Sequence, residues 1–551
     1  MMRKTDLAFC VFSCVVVFTM PAVAQHVVAD VADFADVQTA TPIKHLVIIY
    51  DENVSFDHYF GTYPHAANPP GEPVFYASPG TPWASTLLSD HLLKDNPNFI
   101  NRENGQGAAN PFRIDRRDAW TADQNHGYTA EQLAYDHGKA DLFPKYTGVA
   151  TRGRAGPAGT TGQVMGYFDG NTVTALWNYA QHFAMSDNAH GNTYGPSTPG
   201  AIEVVSGQTN GVRIVKGAKG DQVNGDIVYN GPGGDTIIDD PDPAHDKCST
   251  SSVQVIMEGP NIGNLLNAAG VTWGGFMGGF DLVKRNPNGT TGCDRSHRIT
   301  VGPEKAVNDY LAHHNWFQFF PSTSNPTHAK PYSIARVGYS HDPDGKPDPA
   351  NHEYGLSEFY RAVKAGNFPA VSYIKMPAYE DGHPGYSDPL DEQRGVVKLV
   401  NFIEAQPAWK NTAIIITYDD SDGWYDSGFV APIYSSYSKA DRLDGPGRCG
   451  FGRQPRGING RPVNGRCGLG PRLPFLVISP WARIDFVAHD EIDQASVLRF
   501  IEDNWLGGER LGHGSFDASA GSIMDMFDFT ATGGHTPPLI LNPETGEPVS
   551  R

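Results

Sequence analysis

The sequence predicts an α/β fold: a central, mostly parallel sheet flanked by helices and interrupted by long loop insertions. Two patterns point to it. Short, nearly continuous apolar runs between turn residues mark strands buried on both faces, and amphipathic helical stretches alternate with them. The 551 residues are 39% hydrophobic and 19% charged, enough apolar material for a large core, which excludes a disordered chain or a coiled coil. The 61 glycines and 42 prolines imply many ordered loops. Sixty-one acidic against 42 basic residues give a net charge of -19, which opposes a sequence-independent grip on nucleic acid.

Taken in order, Arg3 and Lys4 precede an apolar run from Leu7 to Met20, and Ala22-Val23-Ala24 supplies small residues before Gln25. Residues 1 to 24 therefore read as a signal peptide, and the mature chain is expected in the periplasm or secreted. No later window offers about 18 uninterrupted apolar residues, so no stable membrane insertion is expected. Residues 25 to 41 form a short acidic lead, and 42 to 551 the body. Beyond residue 24 remain Cys248, Cys293, Cys449 and Cys467, an even number that suggests two disulfides in an oxidising compartment. Of the three connectivities, Cys248 to Cys293 with Cys449 to Cys467 is preferred, because each pair brackets a segment rich in Gly, Pro and Asn. Without a CxxC pair, zinc is the weaker reading.

His45 to Tyr50, Ala370 to Lys375, Ala413 to Tyr418 and Pro474 to Ser479 read as buried strands. One helix is expected from Asp388, with Pro389 at its first position and Val396, Leu399, Val400 and Ile403 on one face. Another is expected from Asp493, carrying Val497, Phe500, Ile501 and Trp505. Residues 147 to 163, 209 to 250 and 440 to 471 are Gly-rich and read as surface loops.

In parallel sheets, ligand sites lie beyond the carboxyl ends of the strands. Two of these strands end in acid: the first runs into Asp51-Glu52-Asn53, and the third into Asp419-Asp420-Ser421-Asp422. Carboxylates gathered there repel one another unless a cation lies between them, and oxygen ligands suit a hard divalent ion. A third segment, from Tyr194-Gly195-Pro196-Ser197 to Gly207, reads as a turn feeding a helix, with Thr198 as cap, Pro199 at the first position and Gly207 closing the end. That puts Ser197 at a helix N-terminus, where free N–H groups favour a phosphate and a nearby metal favours an ionised hydroxyl.

Together with these segments, Ile43 through Gly61, Asp123-Gln124-Asn125-His126-Gly127, His313-His314-Asn315, Asn351-His352-Glu353-Tyr354, Tyr418 through Asp426, Gly470 through Pro474 and Asp493 through Ser496 resemble the bacterial phosphoesterase family that contains secreted acid phosphatases and phospholipases C. The resemblance spans nearly the whole body. It implies an alkaline-phosphatase-like fold and one divalent ion, a hard one such as Ca, Mg or Mn, with Zn as the alternative. Glu52, Asn53, Asp419 and Asp420 match the metal ligands, and Ser197 matches the nucleophile that also touches the metal. His126, His314 and His352 match the histidines of the phosphate pocket. His313, His341 and His383 rank below them as pocket wall. Val54 departs from the Arg or Lys of many relatives, which removes a cation from that position. The serine at position 197, where the phospholipase branch resembles the same motif with Thr, favours a phosphate monoester as substrate through a phosphoserine intermediate. Phospholipase C is the second reading and would add transient lipid contact. An exported, catalytically inert binding protein is opposed by the intact set of matched residues. A sulfatase is opposed by Ala201, which stands where that family has Arg.

Overall fold

A computed structural model of the chain describes residues 38–217, 225–303, 306–530 and 534–549. The expected signal peptide, with Cys10 and Cys14, and most of the lead lie outside the described residues. The body is organised on an eight-stranded sheet: β1 (His45–Asp51), β2 (Ala184–Ser186), β3 (Trp273–Met277), β4 (Glu353–Gly355), β5 (Val371–Lys375), β6 (Thr412–Tyr418), β7 (Phe475–Ile478) and β8 (Phe486–Ala488). Their order across the sheet is β4-β3-β5-β1-β6-β7-β2-β8. Only β7 is reversed, pairing antiparallel with β6 on one side and β2 on the other. The sheet is therefore mostly parallel, and each of the four strands read from sequence is found to within a residue at either end.

The reason is visible in β1 and β6. His45-Leu-Val-Ile-Ile-Tyr-Asp and Thr412-Ala-Ile-Ile-Ile-Thr-Tyr are rich in β-branched residues that pack well on a pleated surface. Nearly every residue of these strands is buried, as in a parallel sheet covered on both faces. Three helices matter for the site and its surroundings: α1 (Ser197–Ser206), α2 (Pro389–Glu404) and α3 (Ala495–Trp505), each largely buried. Helix α2 starts as expected: Asp388 caps it by accepting from the Leu390 and Asp391 N–H groups, and Pro389 follows.

Three local expectations are corrected. Helix α3 begins at Ala495, because Ile492–Asp493 first pairs with Ala189–His190. In helix α1 Ser197 is the first residue, so Pro199 is third and Thr198 makes no side-chain cap, whereas Gly207 closes the helix in the left-handed conformation as expected. Segment 209 to 250 is no loop. It supplies Asn210–Lys216, Ile227–Val228, Asp235–Ile237 and Asp242–Pro243 to a five-stranded sheet completed by Gln254–Met257. Pieces this short owe their strand form to pairing with distant neighbours, which local composition does not show. The other two Gly-rich stretches contain only 3-10 turns and isolated bridges among the described residues. Both preferred disulfides, Cys248–Cys293 and Cys449–Cys467, are formed.

Candidate metal and phosphoryl site

The site is set by strand register. Adjacent parallel strands β1 and β6 align Asp51 with Tyr418, so Glu52-Asn53 and Asp419-Asp420 leave the sheet side by side. Asn53 then turns back with φ of 61°, a left-handed conformation that Asn adopts more readily than most residues. Its N–H donates to Asp419 Oδ1 at 2.9 Å, as does the Asp420 N–H at 2.8 Å. Helix α1 brings the fifth residue. Gly200 lies so close to the β6 end that a Cβ there would sit 2.1 Å from the Asp419 carbonyl oxygen. Tyr50 Oη donates to the Gly200 carbonyl at 2.9 Å and holds the helix in that position.

Ser197 Oγ consequently donates to Asp420 Oδ2 at 3.1 Å and lies 3.3 Å from the Asn53 amide oxygen. That amide oxygen lies 2.8 Å from Glu52 Oε2 and 3.3 Å from Asp419 Oδ1. The structure thus brings Glu52, Asn53, Ser197, Asp419 and Asp420 together with their oxygens converging. Acceptors facing acceptors at such distances need a cation or a turned amide, and with the amide reversed its nitrogen would donate to the same oxygens and its oxygen would accept from His383. Asp419 Oδ2 is buried without a hydrogen-bond donor. Five oxygen donors, three of them carboxylates, fit a hard divalent cation.

The charges support that fit. Burial, then the neighbouring charge of Asp419, pushes the Glu52 and Asp420 carboxyls well above the usual range. Asp419 is also opposed by burial, but the Lys375 ammonium and hydrogen bonds from Glu52 and the Asn53 N–H hold its carboxyl below the usual range. Lys375, the last residue of β5, is buried against Glu52. Burial lowers its pKa, but Glu52 and Asp419 outweigh that and raise it. One ammonium faces Asp51, Glu52, Asp381 and Asp419, so the cluster is short of positive charge.

Two of the three expected histidines are in place. His126 Nδ1 lies 2.9 Å from the Gln124 carbonyl and 3.2 Å from Asp422 Oδ1, with Nε2 at 3.4 Å from the Asn53 amide. Burial disfavours its protonation, but Asp420 and Asp422 outweigh burial and raise its pKa well above the usual value. His314 Nδ1 lies 3.0 Å from Glu52 Oε1, and burial with the charges of His313 and Lys375 holds its pKa well below normal.

His352 is not in the site. Residue 353 pairs with Gly275 on β3, and the register through β5 to β1 places His352 level with Val47, five residues before Glu52 and at the other end of the strands. That is roughly 17 Å along the strand direction at about 3.3 Å per residue. Its ring stacks on Trp273 at 4.3 Å, its nitrogens face the Trp273 carbonyl and Ser340 Oγ, and burial pushes its pKa down to about 4. It is a core histidine.

The third place belongs to His383. Its Nε2 lies 2.9 Å from the Asn53 amide, its ring lies 6.1 Å from that of His126 and 6.3 Å from that of His314, and burial pushes its pKa down to about 4. It stands in Gly382-His383-Pro384-Gly385, on the turn that follows β5. A histidine bracketed by turn formers just beyond a core strand carried that signal. His313 faces Asp242 at 3.6 Å on the rim. His341 is exposed, in a turn that bridges to Pro347.

Ligand atoms also gather in Asp123-His126-His383-Asp422 and in Glu52-His314-Asp381, both within this site. A further group, Asp246-Cys248-His328, lies elsewhere, and its cysteine is committed to the disulfide with Cys293. The Thr198 N–H, one of those expected to be free for phosphate, is taken: it donates to Asp240 Oδ1 at 2.9 Å.

Residues 43–506 match the model of the Phosphoesterase family, and the chain belongs to that family. Among curated relatives, it is 23% identical to the hemolytic phospholipase C of Pseudomonas aeruginosa over 90% of this chain and 58% of that protein. It is 23% identical to the non-hemolytic phospholipase C of Burkholderia pseudomallei over 84% and 55%. With phospholipase C A of Mycobacterium tuberculosis the figures are 22% identity over 92% and 81%. The chain thus spans little more than half the length of the first two. Among solved structures, murine ectonucleotide pyrophosphatase / phosphodiesterase 5 aligns over 64% of this chain and 95% of that one, with 12% identity and a TM-score of 0.28.

Proposed function

We propose that the chain is a metal-dependent hydrolase of phosphoric esters, with Ser197 as nucleophile, on an alkaline-phosphatase-like scaffold. The observation that carries this reading is the convergence of Ser197 Oγ with the oxygens of Glu52, Asn53, Asp419 and Asp420 at the carboxyl ends of β1 and β6. When bound there, a divalent cation supplies the positive charge that favours the serine alkoxide and offsets a phosphoryl oxygen.

The chain's own residues account for the remaining steps. The Ser197 hydroxyl proton lies on its bond to Asp420, which directs the oxygen lone pairs away from that carboxylate. As Ser197 Oγ attacks phosphorus its proton passes to Asp420, the Oγ–P bond forms and the bond from phosphorus to the ester oxygen breaks, and the departing alcohol oxygen takes a proton from His126, the histidine held by Asp422. Water then cleaves the phosphoseryl bond, with His126 taking a proton from the water in place of the one it gave and Ser197 Oγ recovering its proton from Asp420. His314 and His383, both held neutral by burial, flank Glu52 and Asn53 and wall the phosphoryl pocket, the single N–H of His383 being directed to the Pro384 carbonyl at 2.6 Å.

Ser197 favours a phosphate monoester, as in the acid phosphatase branch. Cleavage of phospholipid head groups is the second reading, favoured by the phospholipase C names of the curated relatives. The signal-like N-terminus supports action in the periplasm or outside the cell. A substrate panel tests the reading: an aryl phosphate, an aryl phosphodiester and phosphatidylcholine, each with and without chelator. Chelator-sensitive turnover of the monoester above the others is expected. Turnover unaffected by exhaustive metal removal would reject metal dependence, and dominance of phosphatidylcholine would favour the second reading.

A further inference from the structure

The five-stranded sheet sends a short arm, residues 238–241, across the nucleophile turn. The Ile238 carbonyl oxygen lies 3.1 Å from the point where a Gly195 Cβ would stand, and Gly195 has φ of 117°, which only glycine adopts freely. Thr198 Oγ1 donates to the Pro241 carbonyl at 3.4 Å, and between these contacts Asp240 Oδ1 accepts the Thr198 N–H at 2.9 Å. Thr198 follows Ser197 at the start of a ten-residue helix. Donors are scarce there, because Pro199 has no N–H. The Thr198 N–H is where an oxygen of a phosphoryl group on or near Ser197 would find its backbone donor.

We propose that Asp240 is a selectivity residue that disfavours doubly charged phosphoryl groups relative to singly charged ones. The proposal rests on the phosphoesterase reading of the site and qualifies its substrate range: Asp240 reduces, without reversing, the advantage that Ser197 gives a monoester over a diester. The Asp240 carboxylate and a phosphoryl oxygen compete for one donor, and their like charges repel. A monoester carries a charge near -2 above its second pKa of about 6, whereas a diester carries -1, so a fixed carboxylate on the shared donor penalises the monoester roughly twice as strongly. Asp239 and Asp226 add to the negative field of the arm: burial, then the charges of Asp240 and Asp226, pushes the Asp239 carboxyl up to about 7. The role differs from that of the metal ligands. Asp240 contacts the nucleophile's neighbour from outside the oxygen cluster, and its removal leaves that cluster intact.

The test compares wild type with Asp240→Asn, which keeps an oxygen to accept the Thr198 N–H but removes the charge, and with Asp240→Ala, which vacates the donor. Binding of inorganic phosphate to the metal-loaded protein is measured by titration calorimetry at pH 8, where phosphate is largely dianionic. Asp240→Asn should bind phosphate at least about tenfold more tightly, since relief of one close like-charge contact is worth that much or more. The ratio of kcat/KM for an aryl phosphate to that for an aryl phosphodiester should rise in the same variant by a similar factor. Phosphate affinity equal to or weaker than wild type in Asp240→Asn would overturn the proposal, and should Asp240→Ala fold poorly, the Asn variant decides alone. Failure of wild type to hydrolyse any ester would count against the phosphoesterase reading, while the phosphate affinities, read without turnover, still decide the role of Asp240.

Discussion

Gly200→Ala probes whether helix α1 must touch the end of β6 for the site to exist. The added Cβ would stand 2.1 Å from the Asp419 carbonyl oxygen, 2.7 Å from its carbon and 3.0 Å from its Cα. These are backbone atoms and have no rotamer to escape into, while ordinary carbon contacts begin near 3.5 Å. Helix and strand must therefore separate by about 1 Å. Ser197, three residues earlier on the same helix, moves with it away from Asp420, from which it stands 3.1 Å, and from the Asn53 amide oxygen at 3.3 Å. A misplacement of about 1 Å at a reacting group costs about 100-fold in rate. Overpacking of this kind costs about 1 to 3 kcal/mol, which a large, well-cored protein survives. The expected result is kcat/KM for an aryl phosphate down about 100-fold, with a folded protein by circular dichroism and a melting temperature only a few degrees lower. Wild-type kcat/KM in Gly200→Ala would refute the close-approach argument.

Further outcomes follow from the same structure. His383→Ala should lower kcat/KM for an aryl phosphate by about 100-fold, as misplacement of the Asn53 amide that its Nε2 accepts from does, whereas His352→Gln should lower the melting temperature and leave kcat/KM within about threefold; the reverse pattern would restore His352 to the site. Asp419→Asn should lower bound metal, read by elemental analysis of dialysed protein, together with activity, and full metal content in that variant would remove Asp419 from the ligands. Replacing Cys248 and Cys293 by Ala frees a loop closed over 45 residues and should cost about 4 kcal/mol in the chain-entropy picture, read by urea unfolding. Stability should also fall between pH 5 and pH 8. Burial pushes Glu203, despite Arg466 beside it, and also Asp493 up to about 7 in the folded protein. Each raised pKa favours the fold below the unfolded value near 4, and that contribution is lost as pH rises through 7, on the order of 3 kcal/mol per group. A melting temperature that rises over this range, or a pH slope unchanged in Glu203→Gln, would contradict the assignment.

The parts of the fold and site written in local sequence were legible. Apolar runs ending in acid located β1 and β6, and with them Glu52, Asn53, Asp419 and Asp420, because a buried parallel strand is continuous in sequence and its end is where ligands gather. The Gly195-Pro196-Ser197 turn and Gly207 bounded helix α1 for similar reasons. The rest depends on pairing between distant segments. The second sheet consists of two- to seven-residue pieces that only neighbouring strands hold in place. His352 and His383 both sit near core strands, and only the register shows that one lies at the amino ends and the other beyond the carboxyl ends. Lys375 looked like the close of an apolar strand, and its pairing with Glu52 follows from β5 lying next to β1. Asp240, inside a stretch read as loop, reaches the start of helix α1 through that second sheet.

The central claim is that Ser197 attacks phosphorus at a metal-binding oxygen cluster. Rapid mixing of the metal-loaded enzyme with an aryl phosphate, an acid quench within the first turnovers, then intact-mass measurement and peptide mapping address it most directly. One added phosphoryl group on the peptide that contains Ser197, absent from Ser197→Ala and from chelator-treated wild type, is the predicted result. A phosphoryl group on another residue, or undiminished turnover by Ser197→Ala, would contradict it.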